Sequence, residues 1–189
     1  MESLVENHKI IFKAPPSGVL FFKLYIMQKK FEFEYEVFDK VESLTTADFE
    51  LLLAARKATE TAFAPYSNFK VGAAVYLTNG QLVTGSNQES TSFPVGICAE
   101  RTLLNAVGSQ FMHEKISAMA ISYNPIGKES NEPLSPCGMC RQSLLDYENR
   151  YQAPIRIILS GLTGPIWIFK SATLLLPFGF NGEILKGLK

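Results

Sequence analysis

Only three cysteines occur in this chain of 189 residues, and all of them fall in two short segments, Cys98-Ala99-Glu100-Arg101 and Pro136-Cys137-Gly138-Met139-Cys140. An odd count leaves at least one thiol outside any disulfide framework. Cys137 and Cys140 stand three apart, a spacing that lets both side chains share one side of a helix start. In a reducing compartment that pair suits metal or redox chemistry better than a structural bridge. For the sulfurs to act as one group, the fold must bring together two segments separated by more than thirty residues.

The hydrophobic pattern says what kind of fold could do this. Phe31 to Val37 alternates apolar and acidic residues with period two and reads as a half-buried strand with its acidic row in water. Thr45 opens a helical segment, with Asp48 as a capping-box-like partner and an apolar stripe of Leu51, Leu52, Ala55, Ala58 and Ala62. Phe69 to Leu77 reads as a strand, and Asn79-Gly80 before Leu82-Val83 marks a hairpin. Cys98 to Gln110 and Pro136 to Glu148 are helical; Ile116 to Tyr123, Pro154 to Leu159 and Ile166 to Phe169 are strand-like. Strands alternating with helices predict an α/β fold, a sheet covered by helices on both faces. No repeat or linker divides the chain. The reading is one domain over residues 41–189, preceded by an extension over residues 1–40 that carries a possible extra strand.

Composition narrows the function. The 18 basic residues balance 18 acidic ones, so the chain lacks the positive field with which duplex-binding proteins neutralise phosphates. A small-molecule ligand is expected, with neither nucleic acid nor membrane as partner, in the cytoplasm. The apolar run Val19 to Met27 is interrupted by Lys23, is too short to span a bilayer and precedes no small-residue cleavage site. Translation from Met27 is the plainer account of it.

Counting ligands constrains the sulfur chemistry. Zinc takes thiolates at about 2.3 Å in a tetrahedron; structural sites are normally closed by four protein ligands, and catalytic sites keep a corner open. Cys98, Cys137 and Cys140 supply three corners. His8 and His113 are the only imidazoles, and neither sits in a ligand motif, so one open zinc per chain is expected. Each motif opens a helix, where unpaired amides and the macrodipole favour thiolates. Three thiolates leave the centre negative. Arg101 either offsets this by hydrogen bonding to the sulfurs or is an ordinary helix-surface arginine. Residues two apart do not share a helix face, so Cys98 must occupy the non-helical cap if Glu100 is to lie beside the metal. A glutamate buried there would have a raised pKa, as a group alternating between acid and base requires.

With these motifs in view, the chain resembles the cytidine deaminase family, specifically its small homotetrameric, three-cysteine zinc type. Besides the two zinc motifs, Ala64-Pro65-Tyr66-Ser67-Asn68-Phe69-Lys70-Val71-Gly72 and Gly85-Ser86-Asn87-Gln88-Glu89 look like family segments, and the likeness runs from about Thr45 to Phe180. The resemblance implies a three-layer α/β/α sandwich around a mixed, roughly five-stranded sheet. It implies hydrolysis of cytidine and deoxycytidine to the uracil nucleosides and ammonia in pyrimidine salvage. Cys98, Cys137 and Cys140 would hold zinc. Glu100 would move protons from water to N3 of the base and then to the leaving amine. Asn87 and Glu89 would bind the ribose 3′-hydroxyl, the Ala99 amide the base O2, and the Ser135 carbonyl the 4-amino group. Phe69 would stack on the pyrimidine, and Phe180 would reach a neighbouring subunit's substrate. Phe93 departs from the family's usual tyrosine.

Three other readings compete. One is a related deaminase of another substrate, blasticidin-type or nucleotide. A second is a base-flipping editor, although that group commonly uses histidine as first ligand where this chain has Cys98. The third is a non-catalytic zinc or nucleoside-binding module, which predicts a closed four-ligand site.

Overall fold

The computed structural model describes residues 8–10 and 25–182, in two units, residues 1–33 and 34–189. In the first unit β1 (His8–Ile10) pairs antiparallel with β2 (Tyr25–Met27). Of the apolar run expected near the start, residues 19–24 lie outside the described residues, as does the His8 side chain. Among the described residues, no helix is long and apolar enough to cross a membrane.

The second unit opens with β3 (Glu36–Phe38). The strand expected over Phe31 to Val37 is thus shorter and shifted towards the C-terminus, because its ladder partner β8 (Ile166–Phe169) offers only four residues before the chain turns at Ser171. Tyr35 lies beyond the ladder and stacks on Phe169 instead, with ring centroids 5.1 Å apart.

Helix α1 (Thr46–Ala58) starts where the cap residue predicts, Thr45 Oγ1 accepting the Asp48 N–H at 3.2 Å. The reciprocal half of the expected box is replaced. The Asp48 carboxylate accepts from the Arg156 guanidinium at 3.1 and 3.4 Å, tying the helix to the sheet. Strand β4 (Phe69–Leu77) then turns through Asn79-Gly80, where Gly80 has φ +83°, into β5 (Leu82–Ser86). Helix α2 (Ala99–Gln110), β6 (Ile116–Pro125), α3 (Gly138–Tyr151), β7 (Arg156–Ser160) and β8 complete the order.

The sheet runs β3-β8-β7-β6-β4-β5, with β6 and β7 parallel and every other pair antiparallel. It has six strands where about five were expected, the addition being the edge strand β3. Leu51, Leu52 and Ala55 of α1 pack on Ala74, Ala120 and Ile158 on one face. Leu103, Leu104 and Val107 of α2 and Leu144 and Tyr147 of α3 pack on Ala73, Val75, Met119 and Ile157 on the other. Three layers result, as the helix-and-strand alternation requires.

This topology positions the sulfurs. β5 and β6 both run antiparallel to β4, so α2 is a crossover between parallel-running strands, as α3 is between β6 and β7. Crossovers on one face place the helix N-termini side by side beyond the carboxyl ends of the strands, where open α/β sheets bind ligands. Gly85 brings α2 close. A Cβ there would stand 2.8 Å from Leu103 N and 2.9 Å from the Ala99 carbonyl oxygen.

Candidate active site

Cys98 and Cys137 are the N-cap residues of α2 and α3, both extended, with φ/ψ of −71°/154° and −66°/168°. A cap residue keeps non-helical backbone, which turns its side chain away from the helix surface. Cys140 sits in the first turn of α3 and is buried, whereas Cys98 is half-buried and Cys137 exposed. The sulfurs of Cys98 and Cys137 are 3.8 Å apart, those of Cys137 and Cys140 3.4 Å, and all three lie within 4.8 Å of one another. Ligands about 2.3 Å from a tetrahedral zinc stand about 3.8 Å apart, so the donor set fits zinc in both chemistry and spacing. Among the described residues no fourth His, Cys, Asp or Glu joins the cluster. His113 lies exposed after α2.

Electrostatics follow from this crowding. The hydrogen bond from Cys140 pulls the Cys98 thiol down to about 6, with a further hydrogen bond from Cys137 and the Arg101 charge acting the same way against burial. Cys140 is pushed up, first by that same bond and then by burial. Three neighbouring thiolates repel one another, and a divalent cation is what lets them ionise together. Arg101 acts at the centre as a charge on Cys98 and Glu100.

Glu100 follows the cap and is 4% exposed. Burial pushes its carboxyl up to about 7; its own backbone N–H opposes that, and the Cys98 charge adds to it. It faces a cavity of about 510 Å³, within the range of small-molecule sites, lined also by Phe69, Asn87, Glu89, Ala99, Ser135, Cys98 and Cys137. Seven of the nine residues expected at a substrate or metal thus meet Glu100 on one cavity wall. Cys140 is buried and is not among the lining residues. Phe180 stands apart from this cavity, 62% exposed, its backbone held by Gln142 through bonds of 2.9 and 3.2 Å.

Short backbone ladders fix the wall. Asn87 accepts the Phe63 N–H and Glu89 donates to the Phe63 carbonyl, while Gln88 pairs in both directions with Ile97, the residue before Cys98. The Asn87 amide spans the start of β4, accepting from Val71 N at 2.7 Å and donating to the Phe69 carbonyl at 2.9 Å. The Phe69 ring rests on Tyr123 at 5.2 Å. Phe93, 75% exposed at the mouth, meets Tyr66 edge-on.

The motif pattern did not reveal Arg141 or Glu148. Arg141 donates to the carbonyls of Pro136 at 2.8 Å and Leu175 at 3.1 Å, joining the sulfur-bearing loop to the C-terminal segment. Glu148 is buried in α3 and accepts from Ile155 N, Ala172 N and the Ser171 hydroxyl at 2.7 to 2.9 Å. Its partners, Thr173 included, lie 7 to 25 positions away, so no local signal could have found it.

Comparison with known proteins agrees with this geometry. A family model described as "Cytidine and deoxycytidylate deaminase zinc-binding region" matches residues 45–151. The cytidine deaminase of Halalkalibacterium halodurans is 32% identical over 133 residues, 70% of this chain and 93% of that protein. The cytidine deaminase of Mycoplasma genitalium is 40% identical over 89 residues, 47% of this chain and 64% of that protein. A crystal structure of cytidine deaminase from Burkholderia pseudomallei superposes with a TM-score of 0.61 at 34% identity, covering 72% of this chain and all of that one.

Proposed function

The chain belongs to the cytidine and deoxycytidylate deaminase family, and from that premise we propose that it hydrolyses cytidine and deoxycytidine to uridine and deoxyuridine, with release of ammonia. The observation that carries this reading is the trio of sulfurs at zinc-ligand spacing beside a buried carboxyl, at the wall of a nucleoside-sized cavity.

Cys98, Cys137 and Cys140 would hold a zinc ion, which when bound would supply the Lewis acidity that makes water nucleophilic at neutral pH. The chain supplies the rest. Glu100 takes a proton from the attacking water and delivers it to N3 as oxygen bonds to C4. It then takes the proton of the new C4 hydroxyl and passes it to the 4-amino nitrogen as the C4–N4 bond breaks, so ammonia leaves and the carbonyl forms. A carboxyl raised to about 7 accepts and returns a proton with little cost in either direction. In this reading the Ala99 N–H, first in α2 and without an intrahelical acceptor, donates to the base O2, and the Ser135 carbonyl accepts from the amino group; both residues line the cavity. Phe69 gives the base a flat neighbour. Asn87 and Glu89 hold the ribose. Arg101 tempers the charge on the sulfurs.

The cavity also weighs on the substrate. Its lining residues include Glu89 and Glu100 and, among the described residues, no Lys or Arg. A 5′-phosphate would meet carboxylates with no compensating cation, which favours a nucleoside over a nucleotide. In this reading residues 41–189 are the catalytic domain with residues 1–40 as an extension, and the enzyme works in the cytoplasm as a homotetramer in which Phe180 reaches a neighbour's substrate. Purified chain incubated with cytidine, deoxycytidine and dCMP tests the assignment. Loss of the cytosine absorbance with both nucleosides, at one zinc per chain, is the expected result. Preference for the monophosphate overturns the substrate assignment, and a metal-loaded chain inert towards all three overturns the activity. Sedimentation would test the tetramer.

A further inference from the structure

Ser67 belongs to neither sulfur motif, yet it is built into the same cavity wall as Glu89. Its hydroxyl accepts the Phe69 N–H at 3.0 Å and lies 2.5 Å from Glu89 Oε1. An ionised carboxylate only accepts, so the hydroxyl proton is the one shared in that contact. The N–H groups of Tyr66 and Ser67 occupy Oε2 at 2.9 and 3.3 Å. A carboxylate has about four lone-pair sites, and three donors are already in place here. The fourth site is on Oε1, which has one donor where Oε2 has two.

We propose that Ser67 is a positioning residue that fixes the Glu89 carboxylate so that its remaining Oε1 lone pair accepts a ligand hydroxyl in the cavity. The inference rests on the nucleoside reading only in taking that hydroxyl to be the sugar's. A short hydroxyl side chain suits the task because it can accept from the amide two residues on and donate outward at once. The turn that makes this possible passes through Asn68 at φ +56°, so one bend both starts β4 and aims the carboxylate. Consistent with the geometry, the Glu89 carboxyl lies below its ordinary value, first because of the Ser67 hydroxyl and next because of the Tyr66 amide. A residue that merely filled space would leave the state of Glu89 unchanged.

The test uses the zinc-loaded full chain as wild type, Ser67→Ala, Ser67→Thr, Glu89→Ala and the Ser67→Ala/Glu89→Ala pair, with cytidine as substrate. Loss of one charge-assisted hydrogen bond predicts a KM about tenfold higher in Ser67→Ala with kcat within about twofold. The Ala pair should match Glu89→Ala alone, because Ser67 acts only through that carboxylate. Ser67→Thr, which returns a hydroxyl to the same carbon, should keep the wild-type KM. An unchanged KM in Ser67→Ala, penalties that multiply in the pair, or a threonine variant as impaired as the alanine each overturn the proposal. Independently of turnover, the Glu89 carboxyl followed by NMR should titrate higher in Ser67→Ala than in wild type, and an unmoved titration also overturns it. Wild type that leaves cytidine intact defeats the functional reading instead, and the titration still decides the role of Ser67.

Discussion

Glu100 and Glu89 carry the same side chain and line the same cavity, but their surroundings drive them in opposite directions. Glu100 is buried in the first turn of α2 beside sulfur, and loss of water raises its carboxyl to about 7. Glu89 sits near solvent with two amides and a hydroxyl donating to it, and it is held below its ordinary value. Burial that outweighs the donors makes a group that exchanges protons near neutrality, whereas donors without burial make a fixed acceptor. One cavity thus has a proton carrier at the metal end and a hydroxyl reader at the other.

The sharpest way to break this contrast is Glu100→Gln. It should lower kcat about a thousandfold or more while zinc content and near-ultraviolet circular dichroism remain as in wild type; substantial turnover would remove Glu100 from the proton path. The next largest effect concerns pH. A carboxyl raised to about 7 loses its basic form as pH falls, so kcat/KM should drop about tenfold per unit below that value and level off above it. At pH 5 the deficit should approach about a hundredfold. Glu89, held low, stays ionised through the same window and should add no limb there, so a profile flat from pH 5 to 8 would deny the distinction. Glu89→Gln should cost about tenfold in KM with kcat little changed; a fall in kcat instead would merge the two roles. The smallest effect expected is from Gly85→Ala. The added methyl presses on Ala99 and Leu103, shifting the α2 turn that carries Glu100, so kcat should fall a few-fold while KM stays, with unfolding easier by about 1–3 kcal/mol.

Much of this arrangement was legible in the sequence because it depends on local rules. The N-cap at Thr45 and the Asn79-Gly80 turn are short-range signals, and β4 and β8 begin and end where their patterns do. The extended backbone of Cys98 followed from the helical mismatch between positions 98 and 100. What escaped depends on partners distant along the chain. The length of β3 is set by where β8 turns away, which the alternation of Phe31 to Val37 cannot encode. Asp48 looked like a capping residue until Arg156, 108 positions on, proved the stronger partner. Ser67 was visible as part of a family segment, but its contact with Glu89 spans 22 positions.

Arg141 gives the protein's architecture a practical consequence. A single guanidinium clasps the Pro136 and Leu175 carbonyls, so the loop ahead of the second sulfur motif and the tail of the fold share a rivet. Anyone grafting the tail of a relative onto this chain, or fusing a reporter close behind it, would be pulling on the metal loop as well. Chimaeras should therefore be cut so that residues 136–141 and 171–176 travel together from one parent.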